Sequence, residues 1–226
     1  MKIEVLDTEE AVAERAASII AEAAGEAAAT RGQFAFAVSG GRTPWVMLAT
    51  LARKDVPWPT VHVFQVDERV APTGDPDRNL THLDTSFLAH APLRREQVHA
   101  MPVEASDLTA AAESYSEALR EFSGAPPVLD LAHLGLGPDG HTASLVPGDP
   151  VLEVIDRDVG VTGVYQGRRR MTLRCSTPRA DFCGSSRGKR RLRRLPASRL
   201  PIALFPGGGC DRTMLAWSPI ARRPRG

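Results

Sequence analysis

Gln33-Phe34-Ala35-Phe36-Ala37-Val38-Ser39-Gly40-Gly41-Arg42-Thr43-Pro44 is the stretch on which the fold turns. Phe34, Phe36 and Val38 recur every second residue, the spacing of a strand. Pro44 stands where a helix accepts proline, in its first turn. Two glycines make the turn between them. A strand that passes through a tight turn into a helix predicts an α/β unit, and several such units in series predict a mostly parallel sheet.

The same alternation extends outward in both directions. Lys2–Leu6 reads as a strand, and Thr8 can cap an Ala/Glu-rich helix that runs to about Thr30 and stops at Gly32. Further strands are predicted at Val61–Val66, Val98–Met101 and Val128–Leu136, the last a continuous apolar run interrupted only by Asp130 and His133. Helices are predicted around Asn79–Ala89 and Leu108–Phe122, the second capped by Ser106 or Asp107. The expected architecture is therefore a Rossmann-like, mostly parallel sheet flanked by helices. At 226 residues, with 42% hydrophobic and 24% charged residues, the chain has the composition of one ordinary globular domain, without internal repeats. No window approaches the roughly 18 uninterrupted apolar residues of a membrane span. Acidic residues in Met1-Lys2-Ile3-Glu4-Val5-Leu6-Asp7 replace the basic start of a signal peptide, so a cytoplasmic location is expected.

Three unusual segments each directly follow a predicted strand, and in open α/β sheets ligands bind beyond the carboxyl ends of the strands. Ser39–Pro44 can turn backbone N–H groups and a helix N-terminus toward an anion, although a Gly-Gly turn by itself is more often simple punctuation. It is neither a P-loop nor a dinucleotide fingerprint. Asp67-Glu68-Arg69, followed by Asp77-Arg78-Asn79, offers a guanidinium for a phosphate and a carboxylate for sugar hydroxyls. Alone it reads equally as a solvated triplet. Gly137-Pro138-Asp139-Gly140-His141-Thr142-Ala143-Ser144 brackets two residues with glycines and then presents a histidine. Asp139 and His141 supply too few ligands for a metal, and no Gly-x-Ser-x-Gly elbow is present, which leaves His141 either acid–base work or a structural place at a helix start. His133 and His62 read as core or sheet histidines.

Together these segments resemble the 6-phosphogluconolactonase family, kin of the glucosamine-6-phosphate deaminases. The resemblance runs from about Lys2 to Leu173. It rests on Ser39-Gly40-Gly41-Arg42-Thr43-Pro44, on Asp67-Glu68-Arg69-Val70 with Asp75-Pro76-Asp77-Arg78-Asn79, on Gly135-Leu136 with Gly137–Ser144 and Leu145, and on Arg170-Met171-Thr172-Leu173. It implies hydrolysis of a phosphosugar lactone, 6-phosphoglucono-1,5-lactone, without metal or organic cofactor. His141 would be the general base, with Asp139 as the second catalytic residue. Ser39, Gly40, Gly41, Arg42, Thr43, Asp67, Arg69, Asn79 and Arg170 would bind substrate and phosphate. The deaminase relative looks like Asp-Glu-Tyr where this chain has Asp67-Glu68-Arg69, and like Gly-His-Ile-Ala-Phe where it has Gly140–Ser144. A non-catalytic sugar-phosphate sensor on the same fold is the other alternative. A monomer or weak homo-oligomer is expected.

After Leu173 the resemblance stops. Residues 1–167 hold 12 Lys+Arg against 25 Asp+Glu, whereas residues 168–226 hold 16 against 2 and contain Cys175, Cys183 and Cys210. Residues 174–226 thus form an atypical Arg-rich tail, expected to be irregular and to stand in place of the family's closing strands. A basic arm for nucleic acid is the weaker explanation of this break. A shifted reading frame is the stronger one: back-translating Arg174–Lys189 with GC-rich codons and reading from one base upstream permits an apolar, tryptophan-bearing strand. Nucleotide sequencing across codons 171–176 is expected to reveal a one-base discrepancy. An intact frame, shared with relatives that carry the same tail, would refute this origin.

Overall fold

The computed structural model describes residues 2–135, 140–174, 200–205 and 213–217. Local sequence accounts for its first units. Lys2–Leu6 forms β1. The Thr8 hydroxyl accepts from the Ala11 N–H, 3.1 Å, to start α1, Glu9–Arg31, and Glu9 and Glu10 place negative charge in its first turn. Gly32, at φ 72°, closes it in a left-handed conformation that a side chain would oppose. Its buried residues, Val12, Ala13, Ala16, Ala17, Ile19, Ile20, Ala24 and Ala27, make one stripe, small enough for close packing.

Phe34–Val38 is β2, buried on both faces. Phe34, Phe36 and Val38 point into a core with α1, while Ala35 and Ala37 point into a second core on the opposite face. This period of two, apolar on both sides, is that of a central strand covered from above and below. Arg42–Leu51 forms α2 and packs with α1 on the first face. Val61–Gln65 is β3, parallel to β2. Leu108–Ser123, α4 in the numbering used below, covers the second face through Ala111, Ala112, Tyr115 and Leu119, and Asp107, not Ser106, caps it.

Between these elements the chain departs from the sequence reading at several places. The expected strand Val61–Val66 breaks at Val66, and Asp67–Arg69 becomes a separate strand, β4. The helix expected over Asn79–Ala89 is regular only over Asn79–Leu83, α3, and widens into a π-type turn at Asp84–Leu88. Val98–His99 is a two-residue strand, β5, beside β3. The strand expected over Val128–Leu136 is Leu131–Gly135, β6, parallel to β2. Val159–Val161, β7, and Arg170–Leu173, β8, join β4 in a small antiparallel sheet ordered β4-β8-β7.

The tail expectation needs correction at two segments. Leu200–Phe205, β9, lies parallel to β6, and Thr213–Trp217, β10, lies antiparallel between β9 and β1. The main sheet is thereby ordered β1-β10-β9-β6-β2-β3-β5. An apolar run such as Leu200-Pro201-Ile202-Ala203-Leu204-Phe205 has the composition of a buried parallel strand, and its pairing satisfies backbone groups that an open edge on β6 would expose. Almost all of the Arg174–Lys189 stretch lies outside the described residues. No helix among the described residues is long and apolar enough to cross a membrane.

Beside β5, His99 stacks on Phe64 with ring centroids 4.1 Å apart and hydrogen-bonds the His62 ring, Nε2 to Nδ1, at 3.0 Å. Burial, reinforced by His62, pushes the pKa of His99 down to about 4. Because the unfolded chain then takes up a proton near the ordinary value of 6.5 before the folded chain does, stability is full above that pH and declines toward pH 4. Urea unfolding over this range is expected to show the decline, and His99→Phe to make it shallower. An unchanged pH slope in the variant would remove His99 from the account.

Candidate functional site

The site begins where the parallel strands end. Ser39 and Gly40 follow β2, the Asp67–Arg69 strand follows β3, and Gly140-His141 follows β6 after residues that lie outside the description. Ser39, Gly40, Asp67, Arg69, Asn79, Gly135, His141, Ala143 and Arg170 line one cleft of about 160 Å³.

Strand alternation decides which side chains of Asp67-Glu68-Arg69 face it. Asp67 and Arg69 point to the cleft, and Glu68, between them, points away and is 0% exposed. The Glu68 carboxylate accepts from the backbone N–H groups of Arg69, Asn79 and Leu80 and from the Gln65 amide, each at 2.8 Å. Buried Arg78 lies 3.6 Å away. One carboxylate thus ties the end of β3 to β4 and to the first turn of α3, leaving the donors at the start of that helix satisfied.

The helix start so fixed delivers Asn79. Its amide donates to the Asp67 carbonyl at 2.8 Å and to the Asp67 carboxylate at 3.2 Å, and its carbonyl oxygen accepts from Arg69 Nη1. Gly40 is required opposite it, because a Cβ there would collide with the Asn79 side chain. Asp67 also accepts from the Ser144 hydroxyl at 2.6 Å. Burial raises the pKa of Asp67, against the Ser144 hydrogen bond and the charges of Arg69 and Arg170, which lower it.

Arg69 and Arg170 are register partners across the β4–β8 ladder. Like charges directly opposite each other destabilise a ladder, so this pairing favours an anion between or beside them. Arg170 is 6% exposed, its Nη2 donates to Gln166 Oε1 at 3.2 Å, and its guanidinium carbon lies 5.0 Å from the centroid of the Tyr165 ring. Burial first and Arg69 second lower its pKa. The same Tyr165 ring meets His141 edge to face, with centroids 5.9 Å apart. The expected helix after His141 does not form. Gly140 and Ala143 adopt positive φ, 87° and 53°, and the Leu145 N–H returns to the Thr142 carbonyl at 3.0 Å, so Thr142–Leu145 is a turn that Ser144 fastens to Asp67.

Seven of the residues named from sequence therefore converge: Ser39, Gly40, Asp67, Arg69, Asn79, His141 and Arg170. Gly41, at φ 126°, begins α2 and borders an adjoining cavity with Trp45 and His82, which shares Arg69 and Asn79 with the first. Thr43 is half-buried on α2 and lines neither. Arg42 opens α2, but its side chain, like the whole of Asp139, lies outside the described residues. Glu68, Ser144 and Tyr165 were not singled out from sequence. No group of three or more His, Cys, Asp or Glu among the described residues is placed to hold a metal ion.

Comparison with known proteins agrees with this geometry. The profile of the glucosamine-6-phosphate isomerases/6-phosphogluconolactonase family matches residues 7–177. The chain belongs to that family. Among family members, a 6-phosphogluconolactonase from Synechocystis is 38% identical over 176 residues, which is 76% of this chain and 73% of that protein. One from Streptomyces coelicolor is 36% identical, over 70% of this chain and 69% of its own length. The crystal structure of a 6-phosphogluconolactonase from Shewanella baltica superposes with a TM-score of 0.65 at 29% identity, covering 74% of this chain and 72% of that one. The family match ends at residue 177, close to Leu173, where the motif resemblance stops.

Glu68 supplies the test of this construction. Glu68→Ala removes the acceptor of several buried donors and leaves Arg78 without its buried partner, so the unfolding free energy is expected to fall by about 3–5 kcal/mol in urea titrations. A loss under 1 kcal/mol would show that these donors find other partners.

Proposed function

We propose that this chain hydrolyses 6-phospho-D-glucono-1,5-lactone to 6-phosphogluconate, the second step of the oxidative pentose phosphate pathway. The observation that supports this most is the joint lining of one cleft by His141, Asp67 and the facing guanidinium groups of Arg69 and Arg170. A phosphorylated, hydroxyl-rich ester needs those chemistries together: cations for the phosphate, a carboxylate for hydroxyls, and a base for water.

In this reading neutral His141 takes a proton from a water molecule as its oxygen attacks the lactone carbonyl. Negative charge collects on the former carbonyl oxygen, stabilised by N–H groups of the Ser39–Thr43 turn and the N-terminus of α2. The tetrahedral intermediate collapses with cleavage of the bond between that carbon and the ring oxygen. His141 returns its proton to the departing oxygen, which becomes a hydroxyl, and the new carboxylic acid ionises. Asp139 accompanies His141 as the second catalytic residue. Asp67, fixed by Asn79 and Ser144, accepts from sugar hydroxyls. Arg69 and Arg170 bind the phosphate, with Arg42 and Thr43 on the turn beside it. The mechanism uses neither a metal nor an organic cofactor.

Residues 1–173 form the catalytic unit in this proposal, and 174–226 an atypical Arg-rich ending without a nucleic-acid role. The protein acts in the cytoplasm as a monomer or weak homo-oligomer. Its assay is lactone hydrolysis above the uncatalysed rate. His141→Ala is expected to lower kcat/KM by about 10²–10⁴-fold, the usual contribution of a positioned general base. Equal rates in the two proteins would refute the assigned base.

A further inference from the structure

The Ser39 hydroxyl forms part of the cleft lining, and its one hydrogen-bond partner among the described residues is a residue outside the cleft. His133, on β6, places Nδ1 3.0 Å from Ser39 Oγ, is 0% exposed, and has no partner for Nε2 among the described residues. We propose that His133 is a positioning residue whose Nδ1–H donates to Ser39 Oγ, so that the Ser39 proton points into the cleft and is donated to an anionic oxygen of the substrate. The inference rests on reading the Ser39 turn as an anion site.

The direction of this hydrogen bond follows from which ring nitrogen carries the proton. Burial pushes the pKa of His133 down to about 4, so near neutral pH the ring is uncharged and bears a single N–H. If that N–H were at Nε2, it would be a buried donor without an acceptor, and Ser39 would spend its proton on Nδ1, turning only lone pairs toward the cleft. With the proton at Nδ1, the orphan is an acceptor instead. Buried orphan N–H groups are rarer than under-satisfied acceptors, which favours the second arrangement.

The surroundings of Ser39 agree with that choice. Arg69 and Arg170 line the same cleft and select for an anion, toward which a hydroxyl lone pair would be repulsive and a hydroxyl proton attractive. Gly135, two residues beyond His133, leaves the space beside Ser39 Oγ open: a Cβ there would stand 3.9 Å from it. The imidazole thus acts through Ser39 and touches no substrate.

Long-range proton–nitrogen NMR of the intact ¹⁵N-labelled chain reads the tautomer directly, with the His133 ring signals identified by their loss in His133→Asn. A protonated Nδ1 is expected. A protonated Nε2 overturns the proposal, whatever the activity. Kinetics supply the second reading. His133→Leu is expected to lose about tenfold or more in kcat/KM, as befits one hydrogen bond to a charged group. His133→Asn, whose side-chain NH₂ replaces the Nδ1 donor, is expected to recover most of that loss. A rise in KM assigns the Ser39 proton to the phosphate, and a fall in kcat assigns it to the oxyanion formed during attack. Equal defects in folded Leu and Asn variants overturn the proposal. A protonated Nδ1 in a chain that hydrolyses no lactone would instead remove the lactonase reading and leave the hydrogen-bond direction standing.

Discussion

The Glu68 carboxylate collects backbone N–H groups from Arg69, Asn79 and Leu80, the Gln65 amide and the nearby Arg78 guanidinium in a place closed to water. None of these groups is catalytic, yet every cleft residue on this side is placed through them. With the first turn of α3 anchored, Asn79 reaches back to hold both Asp67 and Arg69, and its bulk excludes any side chain at position 40. The turn after β2 and the strand after β3 are therefore fitted to one another through an asparagine, and the asparagine is fitted through a buried glutamate. A charge without partners at this depth would be costly, and the density of donors around it makes the geometry specific.

The cleft itself holds opposing charges under tension. Arg69 and Arg170 face each other across a ladder, and the buried Asp67 is held between hydrogen-bond donors and those two cations. Such an arrangement is poorly satisfied when only water fills it and better satisfied by a ligand that carries an anion and hydroxyls together. Tyr165, over Arg170 and against His141, links the cationic end of the cleft to the histidine.

Much of this was legible in the sequence because the signals were local. Alternation in Phe34–Val38, the cap at Thr8, the stop at Gly32 and the Gly-Gly turn each specify backbone geometry within a few residues. Their position after strands was enough to gather seven site residues at one end of the sheet. Glu68 was not legible, since in Asp67-Glu68-Arg69 all three side chains are polar and nothing local says which one turns inward. The small sheet was missed for a related reason. Its strands have three or four residues, and their pairing joins Asp67–Arg69 to Arg170–Leu173 across a separation no local pattern records. Ser144 looked like a helix former, and only its bond to Asp67 explains the turn it occupies. The sheet positions of Leu200–Phe205 and Thr213–Trp217 were obscured by the arginines around them, which dominate composition while the two apolar runs decide pairing.

The position of β1 at the edge of the main sheet has a consequence for the order of assembly. Its ladder partner there is β10, with Lys2 opposite Trp217. The strands around β2 and β3, and α1 against them, draw on much nearer stretches of chain. During synthesis the central strands can collapse around the site while β1 still has no strand to join, and the loop that must close to give it one spans nearly the whole chain. Closures of that kind come late and slowly, because the entropy of a long loop is lost before any new contact offsets it. The earliest strand to leave the ribosome is thus the last to be secured, and the maturation of this protein ends at its own beginning.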